Sequence, residues 1–352
     1  MKSTMRYLLA TLLLLTGCAS TQIMPQSHTD MIKEIMAKTK AANVLIYPAT
    51  SSKVNDSKHF STGSGSGILI DSNGLIITNQ HVTDSAKEVS VEMPNRKIFI
   101  GKIIGSDPDL DISVIKIELI NTPYLKFSDS NDLESGDQVI STGNPSHFQG
   151  ITTIGFIGNL HSTLGGISSS ESYIQHTAMI FPGNSGGSLV NMKGELIGMN
   201  TAIYEGVTSL NFAIPSHTLM KVIPILIAKG HFDHAWIGIM AQGLNTDLSE
   251  KFNTCEGCGV LISEIEPNSP SEKNKLQVGD IITRINKRNV HDILDITSTI
   301  GSMLPGETIV MDFTHNGIKN SKIIILEKRP ENKAEIIPEA KKEEGNEDSE
   351  SN

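Results

Sequence analysis

Cysteine is nearly absent from this chain, which has three among 352 residues. Cys18 stands in the N-terminal segment, and Cys255 and Cys258 form a C-x-x-C pair far from it. A zinc site at this pair would need two further ligands, and neither histidine nor cysteine clusters nearby. The pair therefore predicts either a local disulfide or two unpaired thiols, and no metal or cofactor is expected.

Aromatic and basic residues are also few. Aromatic side chains make up 5% of the chain, whereas glycine occurs 30 times. The 29 basic residues are outnumbered by 39 acidic ones, and the formal net charge of -10 argues against nucleic acid as a partner. With 38% hydrophobic residues, a chain of this length is expected to form two domains of mostly β structure.

The N-terminal segment has no hydrophobic run long enough to span a bilayer. Its apolar stretch is Leu8–Leu15, and the basic residues Lys2 and Arg6 precede it. A short apolar stretch behind positive charges is typical of a secretion signal, so residues 1–17 are predicted to be a cleaved signal peptide.

Cys18 directly follows this signal, and residues 15–18 (LTGC) resemble a bacterial lipobox. In that interpretation the sulfur of Cys18 carries lipid, and residues 18–40 form a tether with a short helix at 31–36. Ala19 resembles the sorting pattern of outer-membrane lipoproteins, so the expected location is the periplasm, with a lipid anchor in the outer membrane. An ordinary signal peptide with an incidental cysteine is the alternative.

The most informative stretch surrounds Ser185, at residues 181–189 (FPGNSGGSL). Its glycines permit a tight turn in which the N–H groups of Gly183 and Ser185 converge beside the Ser185 hydroxyl. We therefore predict a nucleophile at Ser185 and an oxyanion hole formed by Gly183, Asn184 and Ser185. Taken alone, the motif is equally well explained as a glycine-rich hairpin turn.

Two further residues complete a catalytic pattern. His81 follows a predicted strand, and Asp111 stands at the entrance to another, where a carboxylate can face an imidazole. Asp107 and Asp109 are better explained as solvated turn residues. In this chain order His81, Asp111 and Ser185 would act as the base, the orienting carboxylate and the nucleophile of a serine protease. For His81 alone, a buried core histidine is the alternative.

Five motifs together resemble the HtrA/Deg family of trypsin-like serine proteases, over about residues 41–329. The resemblance implies a mostly β fold: a trypsin-like double β-barrel over residues 41–230, with the active site between the barrels, and then an α+β PDZ domain. It also implies a homotrimer. The motifs are residues 78–82 (TNQHV), 107–116 (DPDLDISVIK), 143–145 (GNP), 183–189 (GNSGGSL) and 211–215 (NFAIP).

The chain departs from the family pattern around the predicted substrate pocket. Phe181 stands where the family commonly has asparagine, and Asn211 stands where it has glycine. No acidic residue occupies the pocket positions, so small aliphatic P1 residues are expected. Ser162 replaces an arginine that often senses the PDZ domain, which argues against an activation relay through that position. The predicted pocket residues are Ile180, Phe181, Leu210, Asn211 and Phe212.

Residues 231–329 resemble a single PDZ domain. The segment Trp236-Ile237-Gly238-Ile239 matches its carboxylate-binding loop, where backbone N–H groups would bind a peptide C-terminus while the peptide adds to a sheet edge. Trp236 alone is equally well explained as a core aromatic residue. Residues 330–352 are acidic and have almost no apolar residues after Ile337, so they are predicted to be a disordered tail.

The predicted function is a serine endopeptidase of the cell envelope that cleaves unfolded, damaged or C-terminally tagged proteins in quality control or a stress response. Polypeptide substrates and peptide C-termini are the expected partners, together with the membrane that holds the lipid. Two alternatives stay open: a regulatory sensor protease that cuts one signalling partner, and a non-catalytic chaperone or peptide-binding scaffold.

Overall fold

The computed structural model describes residues 27–48, 64–84, 86–145, 148–164, 168–203 and 210–330. The predicted signal peptide, the predicted lipidation site Cys18 and residues 331–352 of the acidic tail lie outside these ranges. Within them, no helix is both long enough and apolar enough to cross a membrane.

The first barrel is a closed antiparallel sheet of six strands. They are β1 (Asn43–Pro48), β2 (Gly65–Leu69), β3 (Leu75–Thr78), β4 (Glu88–Glu92), β5 (Ile98–Asp107) and β6 (Ile112–Lys116). The order around the barrel is β1-β2-β3-β6-β5-β4, and the short helix α2 (Gln80–Thr83) follows β3. Pairing of β3 with β6 places Thr78 opposite Ser113, so the residues that flank these strand ends become neighbours.

The second barrel repeats this plan with β7 (Gln138–Gly143), β8 (Ile151–Leu164), β9 (Ser168–His176), β10 (Ser188–Asn191), β11 (Leu196–Ile203) and β12 (Asn211–Pro215). The order around it is β10-β11-β12-β9-β8-β7. Helix α3 (Ser216–Lys229) closes the domain, and Gly230 ends it in the left-handed region at φ 81°. Its N-cap is Pro215, and the hydroxyl of the first helical residue, Ser216, donates to the Ser128 carbonyl oxygen.

The segment before β1 is more than the predicted tether. Helix α1 spans His28–Ala42, and its Ile35 belongs to the core that the barrels share. Thr39 accepts a hydrogen bond from Thr142 at 3.0 Å, and Lys38 donates to the Gly194 carbonyl oxygen at 2.9 Å. The tether prediction is therefore wrong for residues 28–40, because one face of the helix packs on the second barrel.

A smaller domain follows α3. Its main sheet has the order β14-β15-β16-β18-β19, with β14 at one edge, and β13 pairs separately with β20. The strands are β13 (Ala235–Trp236), β14 (Ile239–Gly243), β15 (Val260–Ile265), β16 (Ile281–Ile285), β17 (Arg288–Asn289), β18 (Thr308–His315), β19 (Ile318–Ile325) and β20 (Glu327–Lys328); the helices are α4 (Thr246–Lys251), α5 (Pro270–Lys273) and α6 (Ile293–Gly301). An aliphatic core that includes Ile237, Ile262 and Ile296 holds these elements together, and α6 also lies against β9 of the second barrel.

Candidate active site

The structure brings His81 and Asp111 together at the end of the first barrel. Nδ1 of His81 lies 3.0 and 2.9 Å from the two carboxylate oxygens of Asp111. The backbone N–H of His81 donates to the same carboxylate at 3.0 Å. The imidazole is therefore held with Nδ1 toward the carboxylate, which leaves Nε2 on the side away from it.

Asp111 adopts an unusual backbone conformation, with φ at 54° in the left-handed region. Asn79 Nδ2 donates to its carbonyl oxygen at 3.1 Å, and Thr201 Oγ1 donates to its carboxylate at 2.8 Å. With the two donors of His81, these contacts hold the carboxylate in one orientation.

The carboxylate also changes the protonation of His81. Burial by itself would lower the pKa of the imidazole, but the hydrogen bond and the negative charge of Asp111 outweigh it and raise the pKa above its ordinary value. The side chain is half exposed, at 51%, and within the described part of the chain its Nε2 has no hydrogen-bond partner. A raised pKa with a free nitrogen suits a group that accepts a proton from a neighbour.

Ser185 lies in a half-buried position beside this pair. Its hydroxyl donates to the carbonyl oxygen of Thr201 at 3.1 Å, and its own carbonyl accepts from Ser66 N–H at 2.8 Å. Thr201 thus contacts both Ser185 and Asp111, and so links the predicted nucleophile to the predicted carboxylate. Among the described residues no hydrogen bond joins Ser185 Oγ to His81, a looseness common in sites without substrate.

The residues before Ser185 form a tight turn. Asn184 N–H donates to the Phe181 carbonyl oxygen at 2.9 Å. The two central residues of this turn are Pro182 and then Gly183, which has φ 99°. A type II turn favours these two residues in this order. The N–H groups of Gly183 and Ser185 have no acceptor among the described residues, whereas that of Asn184 is engaged. Of the three residues of the predicted oxyanion hole, Gly183 and Ser185 therefore have N–H groups available to a substrate, whereas the Asn184 N–H closes the turn.

Two residues that support the site escaped the sequence analysis. Ser66 Oγ donates to the Gly183 carbonyl oxygen at 2.7 Å and accepts from Asn144 N–H at 2.9 Å, so it fixes the turn. Thr201 is the other. Both are small hydroxyl residues within strand patterns, and nothing in the local sequence marks them.

The predicted pocket residues differ in exposure. Phe181 is 42% exposed, whereas Ile180 and Phe212 are buried and Leu210 is partly buried. Asn211 is buried as well, and its side chain joins two segments: Nδ2 donates to the His176 carbonyl oxygen at 3.3 Å, and Oδ1 accepts from Ile180 N–H at 3.4 Å. An amide therefore occupies the place that glycine leaves open in the family pattern.

In the smaller domain, Ile237 and Ile239 are buried and Trp236 pairs with Glu327 in a short sheet. Gly238 has φ 76°, and a Cβ there would lie 2.2 Å from the Ser269 Cβ. Glycine is therefore required at this position by the fold itself, independently of any ligand. Next to the free edge of β14, this loop still has the setting that peptide addition needs.

The two remaining cysteines are close in space. Cys255 and Cys258 are joined in a disulfide with a Cα–Cα distance of 5.2 Å. Their loop follows α4 at the surface of the smaller domain. Among the described residues, no group of three or more histidine, cysteine, aspartate or glutamate side chains is arranged to hold a metal ion.

Comparisons with known proteins agree with this architecture. A family model described as a trypsin-like peptidase domain matches residues 65–199, and one described as a PDZ domain matches residues 235–325. The chain is 35% identical over 272 residues to a probable periplasmic serine endoprotease DegP-like of Marinomonas sp. (strain MWYL1), covering 76% of this chain and 57% of that protein. A protein of the same description from Chlamydia muridarum (strain MoPn / Nigg) is 35% identical over 256 residues, covering 72% and 52%. The chain thus spans little more than half the length of these relatives.

Solved structures of similar proteins cover most of both chains. The HtrA-type protease AlgW with a decapeptide is 27% identical and has a TM-score of 0.67, covering 86% of this chain and 99% of that one. The serine endoprotease from Yersinia pestis is 28% identical with a TM-score of 0.61, covering 87% and 100%. Fold and domain order therefore match along most of the described chain.

Proposed function

Because this chain has the trypsin-like peptidase domain and the single PDZ domain of the HtrA/Deg family, we propose that it is a serine endopeptidase. One observation carries the proposal. The carboxylate of Asp111 is bonded to His81 and, through Thr201, is linked to Ser185 at the junction of the two barrels.

In the proposed reaction, Ser185 Oγ attacks the carbonyl carbon of the scissile peptide bond. His81 Nε2 takes the hydroxyl proton and later gives it to the leaving amine. Asp111 keeps the other ring nitrogen protonated and stabilises the imidazolium. For this step the Ser185 hydroxyl turns from the Thr201 carbonyl toward His81. The N–H groups of Gly183 and Ser185, which have no other acceptor among the described residues, stabilise the oxyanion.

The proposed substrates are unfolded, damaged or C-terminally tagged polypeptides. An extended chain enters between the barrels, and small aliphatic side chains are preferred because none of the predicted pocket positions holds an acidic residue. The groove between β14 and α6 binds a free peptide C-terminus, with its carboxylate at the loop from Trp236 to Ile239. AlgW, solved with a decapeptide and with a tripeptide, shows that a similar protein binds peptides.

The proposed location is the periplasm, in keeping with the printed names of the relatives. Cys18 would carry the lipid that holds the protein at the membrane, which we place at the outer membrane from the residue that follows it. A homotrimer is proposed from the family resemblance.

A sensor protease is the second candidate function, favoured by the position of α6. This helix, one wall of the proposed groove, lies against β9 of the protease domain, so a ligand in the groove would act next to that strand. A non-catalytic chaperone would use the same cleft and groove without cleavage.

Cleavage of casein, a loosely folded protein, distinguishes these functions when wild type is compared with Ser185→Ala. We expect fragments from wild type only. A binding protein would give none from either. Adding a peptide with a free C-terminal carboxylate to the cleavage assay, and in a separate assay its amidated form, distinguishes a sensor protease from a quality-control protease. A sensor is strongly activated by the first form and not by the second, whereas a quality-control protease is active without either.

A further inference from the structure

A second histidine–carboxylate pair joins the two domains. His234 belongs to the linker that enters β13, and its Nε2 lies 2.8 Å from Asp107 Oδ2 at the end of β5. Its Nδ1 lies 2.9 Å from the carbonyl oxygen of Gly301, the last residue of α6. Both side chains of the pair are buried, at 7% and 5% exposure. The imidazole thus spans from the first barrel to the PDZ domain.

The chemistry of its two partners fixes the form of His234 that makes this bridge. A carbonyl oxygen and a carboxylate oxygen only accept hydrogen bonds, so each ring nitrogen must donate one. A neutral imidazole has a single N–H and can satisfy one partner, whereas the imidazolium satisfies both. The complete bridge therefore requires protonated His234.

On the protease side, the bridge ends on the loop that carries Asp111. Asp107 Oδ1 accepts Leu110 N–H at 2.8 Å, and the Pro108 carbonyl accepts Asp111 N–H at 3.3 Å. Leu110 is fully buried in the barrel core. Asp107 is therefore bonded at once to its own loop through Oδ1 and to His234 through Oδ2.

A second contact parallels the first. Arg329, just after β20, makes an ion pair with Asp109 in the middle of the same loop. The backbone N–H of Arg329 donates to the His234 carbonyl oxygen at 3.0 Å. Two of the three aspartates between 107 and 111 are thus held by the PDZ side, while the third orients His81.

We propose that His234 is a positioning residue for catalysis: by bridging Gly301 of the PDZ domain and Asp107, it holds the loop in the conformation that presents Asp111 to His81. The proposal rests on the proposed function, because it concerns the same His81–Asp111 pair. Asp111 has a left-handed backbone that must be stabilised by its surroundings, and a small displacement of a catalytic group is costly in rate.

The bridge makes this support dependent on pH. Burial lowers the pKa of His234, but the hydrogen bond and charge of Asp107, with smaller contributions from the Gly301 carbonyl and Asp109, raise it above its ordinary value. Other charged or titratable groups of the junction are Arg329, which pairs with Asp109, and Asp233. Asp233 in turn lies 2.7 Å from Lys328, 3.4 Å from Lys229 and 3.5 Å from His231. The bridge is therefore complete below the ordinary histidine pKa and is lost as pH rises through the higher pKa of the folded protein.

The decisive variant is Asp107→Asn in the full chain. The new amide keeps an oxygen for Leu110 N–H and turns an N–H toward His234 Nε2, so the neutral imidazole becomes the form that satisfies both partners. We expect kcat/KM of wild type to fall at alkaline pH as His234 loses its proton, and this fall to disappear in Asp107→Asn. In His234→Gln both N–H donors sit on one nitrogen and do not span the two partners that the imidazolium reaches from opposite sides of its ring, so kcat should drop about 10- to 100-fold with KM little changed.

Asp233→Asn is the matched control, because it removes a carboxylate of the same junction that does not contact the loop. It should keep the alkaline fall of wild type. If Asp107→Asn and His234→Gln both keep the wild-type pH profile and kcat, the proposal is wrong.

A spectroscopic readout separates failure of this proposal from failure of the proposed function. The downfield proton resonance of His81 Nδ1–H reports the bond to Asp111 whether or not the protein cleaves anything. We expect this resonance to shift or broaden in His234→Gln at a pH where wild type keeps the bridge, and its change with alkaline titration to differ between wild type and Asp107→Asn. An unchanged resonance in His234→Gln, with the same alkaline change in wild type and Asp107→Asn, would overturn the coupling, whereas absence of Ser185-dependent cleavage alone would overturn only the protease function.

Discussion

Two histidine–aspartate pairs lie at opposite ends of one five-residue loop, and they differ in what surrounds the histidine. His81 is half exposed, and among the described residues only the Nδ1 of its ring is bonded, to Asp111. His234 is buried, and both of its ring nitrogens are bonded, to Asp107 and Gly301. The free nitrogen makes His81 able to move a proton, whereas full bonding makes His234 a fixed connection between domains.

A third histidine shows what burial does without a carboxylate. His176 at the end of β9 is fully buried, and neither ring nitrogen has a hydrogen-bond partner among the described residues. Burial lowers its pKa to about 4, and the neighbouring Asn200 side chain and Ala178 backbone offset this only in part. Among these three histidines, the pKa is raised in the two that have a carboxylate partner and lowered in the one that has none.

Substituting the histidine breaks each histidine–aspartate pair, and the resulting losses of kcat should differ by orders of magnitude. We expect His81→Ala to lower kcat by about 10⁴-fold, because it removes the general base. The corresponding His234→Gln loss is far smaller, because His234 acts through the loop. Initial rates on casein, with circular dichroism melting curves as the folding control, measure both. Comparable losses in two folded variants would contradict the division of roles.

Two aspartate-to-asparagine substitutions within the loop test which carboxylate orients His81. Asp111→Asn should lower kcat by about 10⁴-fold, since the amide favours the wrong imidazole tautomer. Asp109→Asn, which contacts Arg329 instead of His81, should lose no more than about tenfold. If the order of the two losses is reversed, Asp111 is not the residue that orients His81.

Acid should destabilise the protein through His176. Its folded pKa of about 4 lies below the ordinary value, so its contribution to stability is present above pH 6.5 and is lost as pH falls toward 4. The expected loss is about 2 kcal/mol at pH 5 relative to pH 8. Urea unfolding at both pH values should show that His176→Leu removes most of this loss. An equal acid loss in the variant would assign it to other groups.

The smallest expected effect concerns the residue that joins Asp111 to Ser185. Thr201→Val keeps the backbone carbonyl that accepts from Ser185 but removes the hydroxyl that donates to Asp111. A hydrogen bond to a charged group contributes about 1.5 kcal/mol, so kcat/KM should fall about tenfold. Thr201→Ser, which keeps the donor, should restore most of the rate. If serine and valine behave alike, the hydroxyl has no part in orienting Asp111.

Local sequence patterns predicted the strand ends and turns that present His81, Asp111 and Ser185, because glycine, hydroxyl and alternating apolar residues specify such turns at short range. They failed where distant segments meet. Asp107 was expected to be solvated, yet it is 4% exposed because His234, 127 positions later, covers it. Ser66 and Thr201 escaped notice for the same reason, since their partners lie in other strands.

Helix α1 illustrates another limit of short-range patterns. Residues 18–40 were predicted to be a tether with a short helix at 31–36, and only the position of the second barrel shows that Ile35 and Thr39 of this helix are buried. The glycine at 238 was interpreted through ligand binding, whereas contact with Ser269 already requires it. In both cases tertiary packing, which local sequence does not encode visibly, decided the outcome.

The central claim is that Ser185 is a nucleophile activated by His81, and covalent labelling tests it most directly. Wild type, His81→Ala and Ser185→Ala are treated with diisopropyl fluorophosphate, and the adduct is located by mass spectrometry of the digested protein. We expect one adduct, on Ser185, in wild type, far slower labelling in His81→Ala and none in Ser185→Ala. Wild-type protein that cleaves casein but carries no adduct on Ser185, or labels equally fast without His81, would contradict the account.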